Sequence, residues 1–455
     1  MVIRKDILRL CIPIIAEQTF TVSMGMVNTM MAGHISPEAV SAVGMIDSIN
    51  NILIAFFAAL AVGGTVVVAH YIGQNNNNNA NEAAKQALLA GLIISLVITI
   101  MIWIFRYPII DFLYGSADKS VLNDAVMYLG ITLITYPLIA LTSISCGILR
   151  GAGDTKTPMM TTIIMNIVNI VLGYILIFGI QVDGIRLPGF EIKGAAVAIA
   201  IARTLGAVLI LYALVRGSKV VKLSNIYSIK INMEMQKSIF GIGIPASVES
   251  LLFFGGKLIT QVFVVGMGTI TIAAHSIAGS VITMINIPGT AMNLAATAIV
   301  GQAMGRGDSE QAEKDLIYIV KLSTVGLLVC CAIAFPLSNL ISLLYTQDYG
   351  VMKLSALLIR ITVVCTPIIW PTAFILNSGF KGAGDVRYTL VTSISSMWIC
   401  RVGLGYVLAI PLKMGVIGVW MGMYIDWLLR GILYYFRMKS GKWKNHIVVK
   451  SEEGI

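Results

Sequence analysis

Charge is the scarcest property of this chain. Asp, Glu, Lys and Arg make up 12% of its 455 residues, about half the usual share of roughly 25%. So few charges cannot cover the surface of a soluble globule of this length. Histidine (4 residues) and cysteine (6 residues) are sparse too. Cys11, Cys146, Cys330, Cys331, Cys365 and Cys400 have no metal-ligand spacing and lie within or at the ends of apolar runs, the pattern of buried thiols rather than of disulfides or a zinc site. His34, His70 and His275 do not converge in sequence, and no metal site is expected. The chain has no Gly-x-x-x-x-Gly-Lys-Ser/Thr, no His-Glu-x-x-His and no Gly-x-Ser-x-Gly, which speaks against ATP-driven work and against hydrolysis within the membrane. No enzyme activity and no cofactor are expected.

What fills the chain instead is apolar sequence, 57% by composition with a mean hydropathy of +0.87. Runs of about twenty apolar residues, the length an α-helix needs to cross about 30 Å of hydrocarbon, recur throughout. Twelve are legible, near 11–33, 41–69, 87–106, 124–147, 158–180, 194–215, 240–266, 276–303, 316–343, 353–378, 389–411 and 415–436. The runs are continuous rather than alternating, and lipid offers no partner for open backbone, so they read as helices and not as a β-barrel. The expected fold is an all-α polytopic membrane protein of twelve transmembrane helices. The net charge of +10 raises the possibility of nucleic acid, but the basic residues fall where membrane topology puts them. With the N-terminus inside, the outer connections hold only Arg106, Lys119, Arg186, Lys193, Lys353 and Lys413, and the other basic loop residues are inside. That asymmetry predicts cytoplasmic termini. The expected setting is the plasma membrane, with lipid and small solutes rather than nucleic acid as partners, and the chain is expected to act as a monomer. The run from Cys11 is too long for a cleavable signal.

The chain also repeats itself. Leu149-Arg150-Gly151-Ala152-Gly153-Asp154 returns as Phe380-Lys381-Gly382-Ala383-Gly384-Asp385, and a shift of 232 sets Pro13 on Pro245, Glu17 on Glu249, Thr65 on Thr297 and Gly73 on Gly305. Leu172-Gly173-Tyr174 likewise meets Leu404-Gly405-Tyr406. Each copy holds an even number of spans, so the copies enter the membrane in the same direction and form two pseudo-symmetric six-helix lobes. The expected division is an N-terminal lobe over 1–218, a basic cytoplasmic linker over 219–238, a C-terminal lobe over 239–440 and a cytoplasmic tail over 441–455. Asn75–Asn79 reads as a solvated linker. In the Gly-Ala-Gly-Asp phrases, glycine permits a turn with positive φ and aspartate can accept from the first free N–H groups of the next helix. Arg150 and Lys381 suit helix C-termini.

These duplicated turns, the half-chain repeat and twelve spans resemble the multidrug and toxic compound extrusion (MATE) family. So do Met31-Ala32-Gly33-His34 through Ala42-Val43-Gly44, Gly268 through Ala273-Ala274-His275, Val68-Ala69-His70-Tyr71-Ile72-Gly73 and Ile299-Val300-Gly301-Gln302-Ala303-Met304-Gly305. The resemblance runs from about residue 5 to residue 440. It implies secondary active efflux of amphipathic, often cationic organic compounds in exchange for H⁺ or Na⁺, by alternating access between two lobes. The alternative is export of a lipid-linked oligosaccharide, which favours an arginine-lined cavity; Arg203, Arg401 and Arg360 are the candidates. The chain departs from the family's acidic pattern. A helix 1 aspartate is matched by Asn28, a helix 5 aspartate by Gly173, a helix 7 glutamate by Phe253 and a helix 10 aspartate by Pro371. Glu249 stands one turn before Phe253 on the same helix face and can substitute.

Polar groups at bilayer depth cost about 2.5–3.5 kcal/mol each when charged, so each requires a reason. Glu17 and Glu249 lead the candidates for cation coupling. Each follows a proline, Pro13 or Pro245, by four residues, and each proline frees a backbone carbonyl one turn earlier. The bland reading is that both glutamates merely brace a neighbouring helix. Asn28, Asn166 and Asn169 could coordinate a cation or substrate amide, or simply join helices. Lys257, a further transport candidate, lies two turns beyond Glu249, about 12 Å along the axis and out of reach of it, and could find a partner across the cavity. Asp426 and Arg430, four apart, are expected to pair. Asp47 is expected near the outer end of the second span. The 23 methionines are cavity lining or core filler.

Overall fold

The structure, a computed structural model, describes residues 4–35, 37–115, 118–182, 185–217, 221–223 and 230–449. The predicted linker is therefore covered only over 221–223 and 230–238, and the tail only to 449. Helices dominate: α1 (Arg4–Gly33), α2 (Pro37–Gly73), α3 (Asn77–Tyr114), α4 (Lys119–Leu133), α5 (Tyr136–Gly151), α6 (Lys156–Phe178) and α7 (Glu191–Arg216) in the first half. The second half has α8 (Met233–Val265), α9 (Thr269–Ile285), α10 (Ile287–Gly305), α11 (Ser309–Tyr345), α12 (Tyr349–Gly382), α13 (Val386–Ser396), α14 (Gly405–Ala409) and α15 (Gly415–Lys439). Ten helical segments are long and apolar enough to cross a membrane, and two bent pairs bring the number to as many as twelve. The all-helical membrane fold is as read from the sequence.

Interruptions modify that reading. The fourth span is α4 and α5 meeting at 50°, and the eighth is α9 and α10 meeting at 51°. Pro137 and Pro288 open the second member of each pair; without an N–H and with a ring that collides with the preceding turn, proline cannot continue a straight helix. Between α13 and α14 the backbone widens into a π-helix over Met397–Leu404. A two-stranded antiparallel hairpin, β1 (Ile180–Val182) with β2 (Ile185–Leu187), joins α6 to α7. The Asn75–Asn79 run is not all linker: Asn75 takes a positive φ of 58° and Asn77 already begins α3.

The described residues form two compact units, one of 4–15, 69–76 and 244–449, the other of 16–68 and 77–243. The units exchange helix ends relative to the halves of the repeat. The first turns of α1 contribute Ile7, Cys11 and Ile14 to a core shared with Leu316, Leu358 and Phe380. The opening turns of α8 lie instead with the first-half helices, where a Cβ on Gly63 would meet the Ile239 carbonyl at 2.3 Å. The second unit has its own core around Ile46, Phe57, Leu129 and Tyr136. Large apolar side chains also lie on the outside at helical spacing, such as Ile93, Val97, Ile100 and Ile104 on α3 and Val325, Leu328, Val329 and Ile333 on α11. Stripes of this size suit hydrocarbon rather than water.

Candidate functional site

Glu17 and Glu249 are buried, 5% and 7% exposed, and each meets the basic residue of the Gly-Ala-Gly-Asp phrase in its own half. Arg150 Nη1 donates to Glu17 Oε1 at 3.0 Å. Lys381 Nζ stands 2.8 Å from Glu249 Oε2, close enough for ion pairing although off the hydrogen-bond direction. Asn377, one turn before Lys381 on α12, donates through Nδ2 to Glu249 Oε1 at 2.9 Å. Glu17 Oε2 has no hydrogen-bond partner among the described residues. The sequence points to the glutamates but assigns Arg150 and Lys381 only to helix ends. The signal that links them is the repeat, which duplicates acid and base together.

The turn that delivers each base is built the same way twice. Gly153 and Gly384 take positive φ of 84° and 91°, so that Asp154 N–H can return to the Leu149 carbonyl at 2.8 Å and Asp385 N–H to the Phe380 carbonyl at 2.9 Å, a glycine-terminated helix end. The earlier glycines bring helices together: a Cβ on Gly151 would lie 2.6 Å from the Thr65 carbonyl oxygen, and one on Gly382 2.5 Å from that of Thr297. The aspartates then diverge. Asp154 Oδ1 accepts from Lys156 N–H at 3.2 Å and Thr157 N–H at 3.1 Å, as a cap should. Asp385, 2% exposed, instead takes Arg437 Nε at 2.8 Å and His446 Nε2 at 3.2 Å. His70 joins the second turn through Nε2, 2.9 Å from the Gly382 carbonyl.

Asn169 Nδ2 donates to Asn28 Oδ1 at 2.7 Å. Asn166, one turn earlier on α6, is 2% exposed and neither its Nδ2 nor its Oδ1 has a partner among the described residues. Glu17 precedes Asn28 by three turns of α1, about 16 Å of rise, so the asparagines and the glutamate are separate groups. In the first half of α2, Asn50 Nδ2 approaches Asp47 Oδ1 at 3.4 Å and its Oδ1 accepts from Tyr136 at 2.6 Å. Arg203 Nη1 donates to Thr135 Oγ1 at 3.2 Å, at the break between α4 and α5.

In the other unit Arg430 Nη2 grips both oxygens of Asp426, at 2.9 and 3.2 Å, in the pairing expected from their spacing. Lys257 has no hydrogen bond or ion pair among the described residues. On α8 it continues the face of Glu249, Phe253, Thr260 and Val264 rather than the outward stripe of Ile244, Val248, Leu251, Leu258 and Val262. Arg401 sits in the π-helical stretch with its Cζ 5.7 Å from the Phe253 ring, and Arg430 Cζ is 5.8 Å from the same ring. Arg360 Nε donates to Ser338 Oγ at 2.8 Å. Of the arginines that an oligosaccharide exporter would favour, Arg203 and Arg360 thus have hydroxyl partners, and only Arg401 makes no hydrogen bond among the described residues.

The MatE family model matches residues 13–175 and 245–407, so the second match begins and ends 232 residues after the first. A probable multidrug resistance protein NorM of Thermotoga maritima is 25% identical over 458 residues, covering 99% of this chain and 95% of its own. The uncharacterized transporter YisQ of Bacillus subtilis is 27% identical over 435 residues, covering 95% of this chain and 93% of its own. Among solved structures, a MOP superfamily transporter from Pyrococcus furiosus superposes with a TM-score of 0.87 at 24% identity and 97% coverage of both chains, a likeness of fold. The chain belongs to the MatE family and is a multi-pass membrane transporter, not an enzyme.

Proposed function

We propose that this transporter is a secondary active exporter of amphipathic organic compounds, cationic ones among them, that exchanges them for inward-moving H⁺ or Na⁺ by alternating access between its two lobes in the plasma membrane, with both termini cytoplasmic. The observation that carries this reading is the duplicated buried pair, Glu17 with Arg150 and Glu249 with Lys381. In each, a carboxylate at membrane depth is balanced by a single base on the turn that ends a helix. A cation arriving at the carboxylate competes with that base, and the base is then free to release its helix end. Asn377 remains on Glu249 Oε1 to orient it. The asparagines Asn28, Asn166 and Asn169 offer neutral oxygens and N–H groups to cargo or to a desolvated cation, and Asn166 has unmatched groups of both kinds.

The energetics suffice without ATP. One monovalent cation moving down a 100 mV potential supplies about 2.3 kcal/mol, which sustains roughly a fifty-fold gradient of a cargo without net charge; a cationic cargo draws instead on the concentration gradient of the ion or on more than one ion per cycle. The names of the relatives, a probable multidrug resistance protein among them, support the choice of cargo. The test is ethidium transport in proteoliposomes with separately imposed pH and Na⁺ gradients. Wild type is expected to move dye under one of the two gradients, and Glu249→Gln to slow that coupled movement at least about tenfold, the effect of losing about 1.4 kcal/mol. Unchanged coupled transport in the variant removes Glu249 from the mechanism. Dye movement under neither gradient rejects antiport.

A further inference from the structure

The second-half unit carries a surplus of positive charge that the Glu-base pairs do not explain, and it is accessible: Lys257 is exposed and Arg401 half-buried. Its acids are already engaged: Glu249 by Lys381 and Asn377, Asp426 by both contacts from Arg430. Lys257 and Arg401 have no such partner among the described residues, yet the backbone brings them together. Phe253 is the reference point: Arg401 reaches to 5.7 Å of its ring, and Lys257 follows it by one turn of α8, about 6 Å. A Cβ on Gly256, the residue before Lys257, would meet Met397 at 2.8 Å and Val402 at 3.5 Å, so this turn of α8 packs on the π-helical stretch that carries Arg401. Two cations brought together, neither with a hydrogen bond or ion pair among the described residues, repel one another, a cost that folding alone does not require.

The same unit also holds Asp426, already gripped by Arg430, and ring N–H donors. Trp420 gives its indole N–H to His275 Nδ1 at 3.0 Å. An indole nitrogen can only donate, so Nδ1 carries no hydrogen, and the free hydrogen of His275 is on Nε2. Trp427, 5% exposed, has its Nε1–H without an acceptor among the described residues. Its ring packs 5.8 Å from Phe374, and Arg430 Cζ lies 5.4 Å from that same Phe374 ring. The group thus combines cations and unspent N–H donors with aromatic walls. Arg401 stands on a π-helical stretch, a distortion that recurs at functional sites because it redirects side chains. At the equivalent place in the first half the repeat has Asn169, on an unbroken α-helix.

We infer that Lys257 and Arg401 form a binding site for an anionic group, a carboxylate, phosphate or sulfonate, borne by an amphipathic cargo whose apolar body rests on Phe253 and the neighbouring aromatics. The inference rests on the exporter reading above and sharpens its substrate class: cargo that includes an acid, zwitterions included, is favoured over cargo that is only cationic. Arg401 can face a planar oxyanion with two N–H groups, and Lys257 supplies a point charge.

The test compares rhodamine B, whose carboxylate is free, with its ethyl ester, which shares the dye body without the acid. Binding to the full-length protein in phosphatidylcholine nanodiscs is read by fluorescence polarisation with no ion gradient, so failure of coupled transport does not affect it. Wild type is expected to bind the acid about tenfold more tightly than the ester, as one charge-assisted contact permits. Lys257→Gln and Arg401→Gln are each expected to remove that preference while leaving ester binding within about twofold, and Lys257→Arg to retain it. Equal affinity for acid and ester in wild type, or no binding of either, overturns the proposal, as does equal loss of both dyes in the Gln variants. If Arg401→Gln fails to fold, Lys257→Gln and Lys257→Arg decide alone. Native mass spectrometry after exchange into phosphatidylglycerol distinguishes the source of the anion. Lipid retained by wild type and lost from Lys257→Gln assigns the site to a headgroup, and rhodamine binding unaffected by phosphatidylglycerol assigns it to a free solute.

Discussion

Glu17 and Glu249 occupy equivalent places in the repeat and are held differently. In the first half the carboxylate has one donor, Arg150, and one oxygen left over. In the second it has a lysine on one oxygen and an asparagine amide on the other. The same divergence runs through the rest of the two halves. Asp154 caps a helix, whereas its counterpart Asp385 anchors Arg437 and His446. The Asn169 position becomes Arg401, and an α-helical stretch becomes π. Duplication kept the close-packed turns, which leave no room to vary, and allowed the polar interiors to specialise. At the Asn169 and Arg401 positions the first half carries an amide and the second a cation.

The comparison is broken most severely by removing one member of a buried pair. Arg150→Ala and Lys381→Ala each leave a buried carboxylate uncompensated, a loss of about 3–5 kcal/mol. Arg150→Ala is expected to be the worse of the two, because Asn377 still donates to Glu249 after Lys381 is gone. Thermal midpoints of the detergent-solubilised variants check this, and adding Glu17→Gln or Glu249→Gln to the respective variant should restore part of the loss. Identical midpoints for the two alanine variants erase the difference between the pairs.

The next effect tests the part of the repeat that did not diverge. Gly151→Val and Gly382→Val both drive side chains into a threonine carbonyl, and each should lower stability by up to about 3 kcal/mol, the upper range for overpacking. The two losses should match in the same thermal assay, and tolerance in one half alone denies the shared packing. The smallest effect separates the aspartates. Asp385→Asn gives up charge-assisted contacts to Arg437 and His446 and should cost about 2 kcal/mol, while Asp154→Asn keeps an equally good capping oxygen and should change stability by less than about 0.5 kcal/mol.

Much of this architecture is legible in the sequence for a simple reason. A span of lipid imposes a fixed length of apolar residues, so the positions of the spans follow from counting. The turn residues are equally local: Gly153 and Gly384 announce themselves because few other residues tolerate their backbone. What the sequence conceals is partnership. Arg150 and Lys381 look like ordinary helix-end cations, since nothing within several turns of them reveals the glutamate on another helix. The breaks before Pro137 and Pro288 are hidden within runs whose hydropathy never falters. The π-helix around Arg401 leaves no mark in hydropathy, because it alters where side chains point and not which side chains are present. Lys257 could be placed too far from Glu249 to pair, but nothing local to it shows that its turn of α8 packs on the stretch that carries Arg401.

The exchange of helix ends has a consequence for how such a chain is made. Ile7, Cys11 and Ile14 leave the ribosome well before the second half, yet they complete a core whose other members are supplied by residues beyond 263. That core stays unfinished until the last spans are inserted, and a fragment ending at the middle of the gene strands its own opening segment. A lone ancestral copy could have met the same need only by pairing with a twin that lent its leading turns in return. Fusing the two copies made that loan permanent, so neither half now stands as a self-sufficient module.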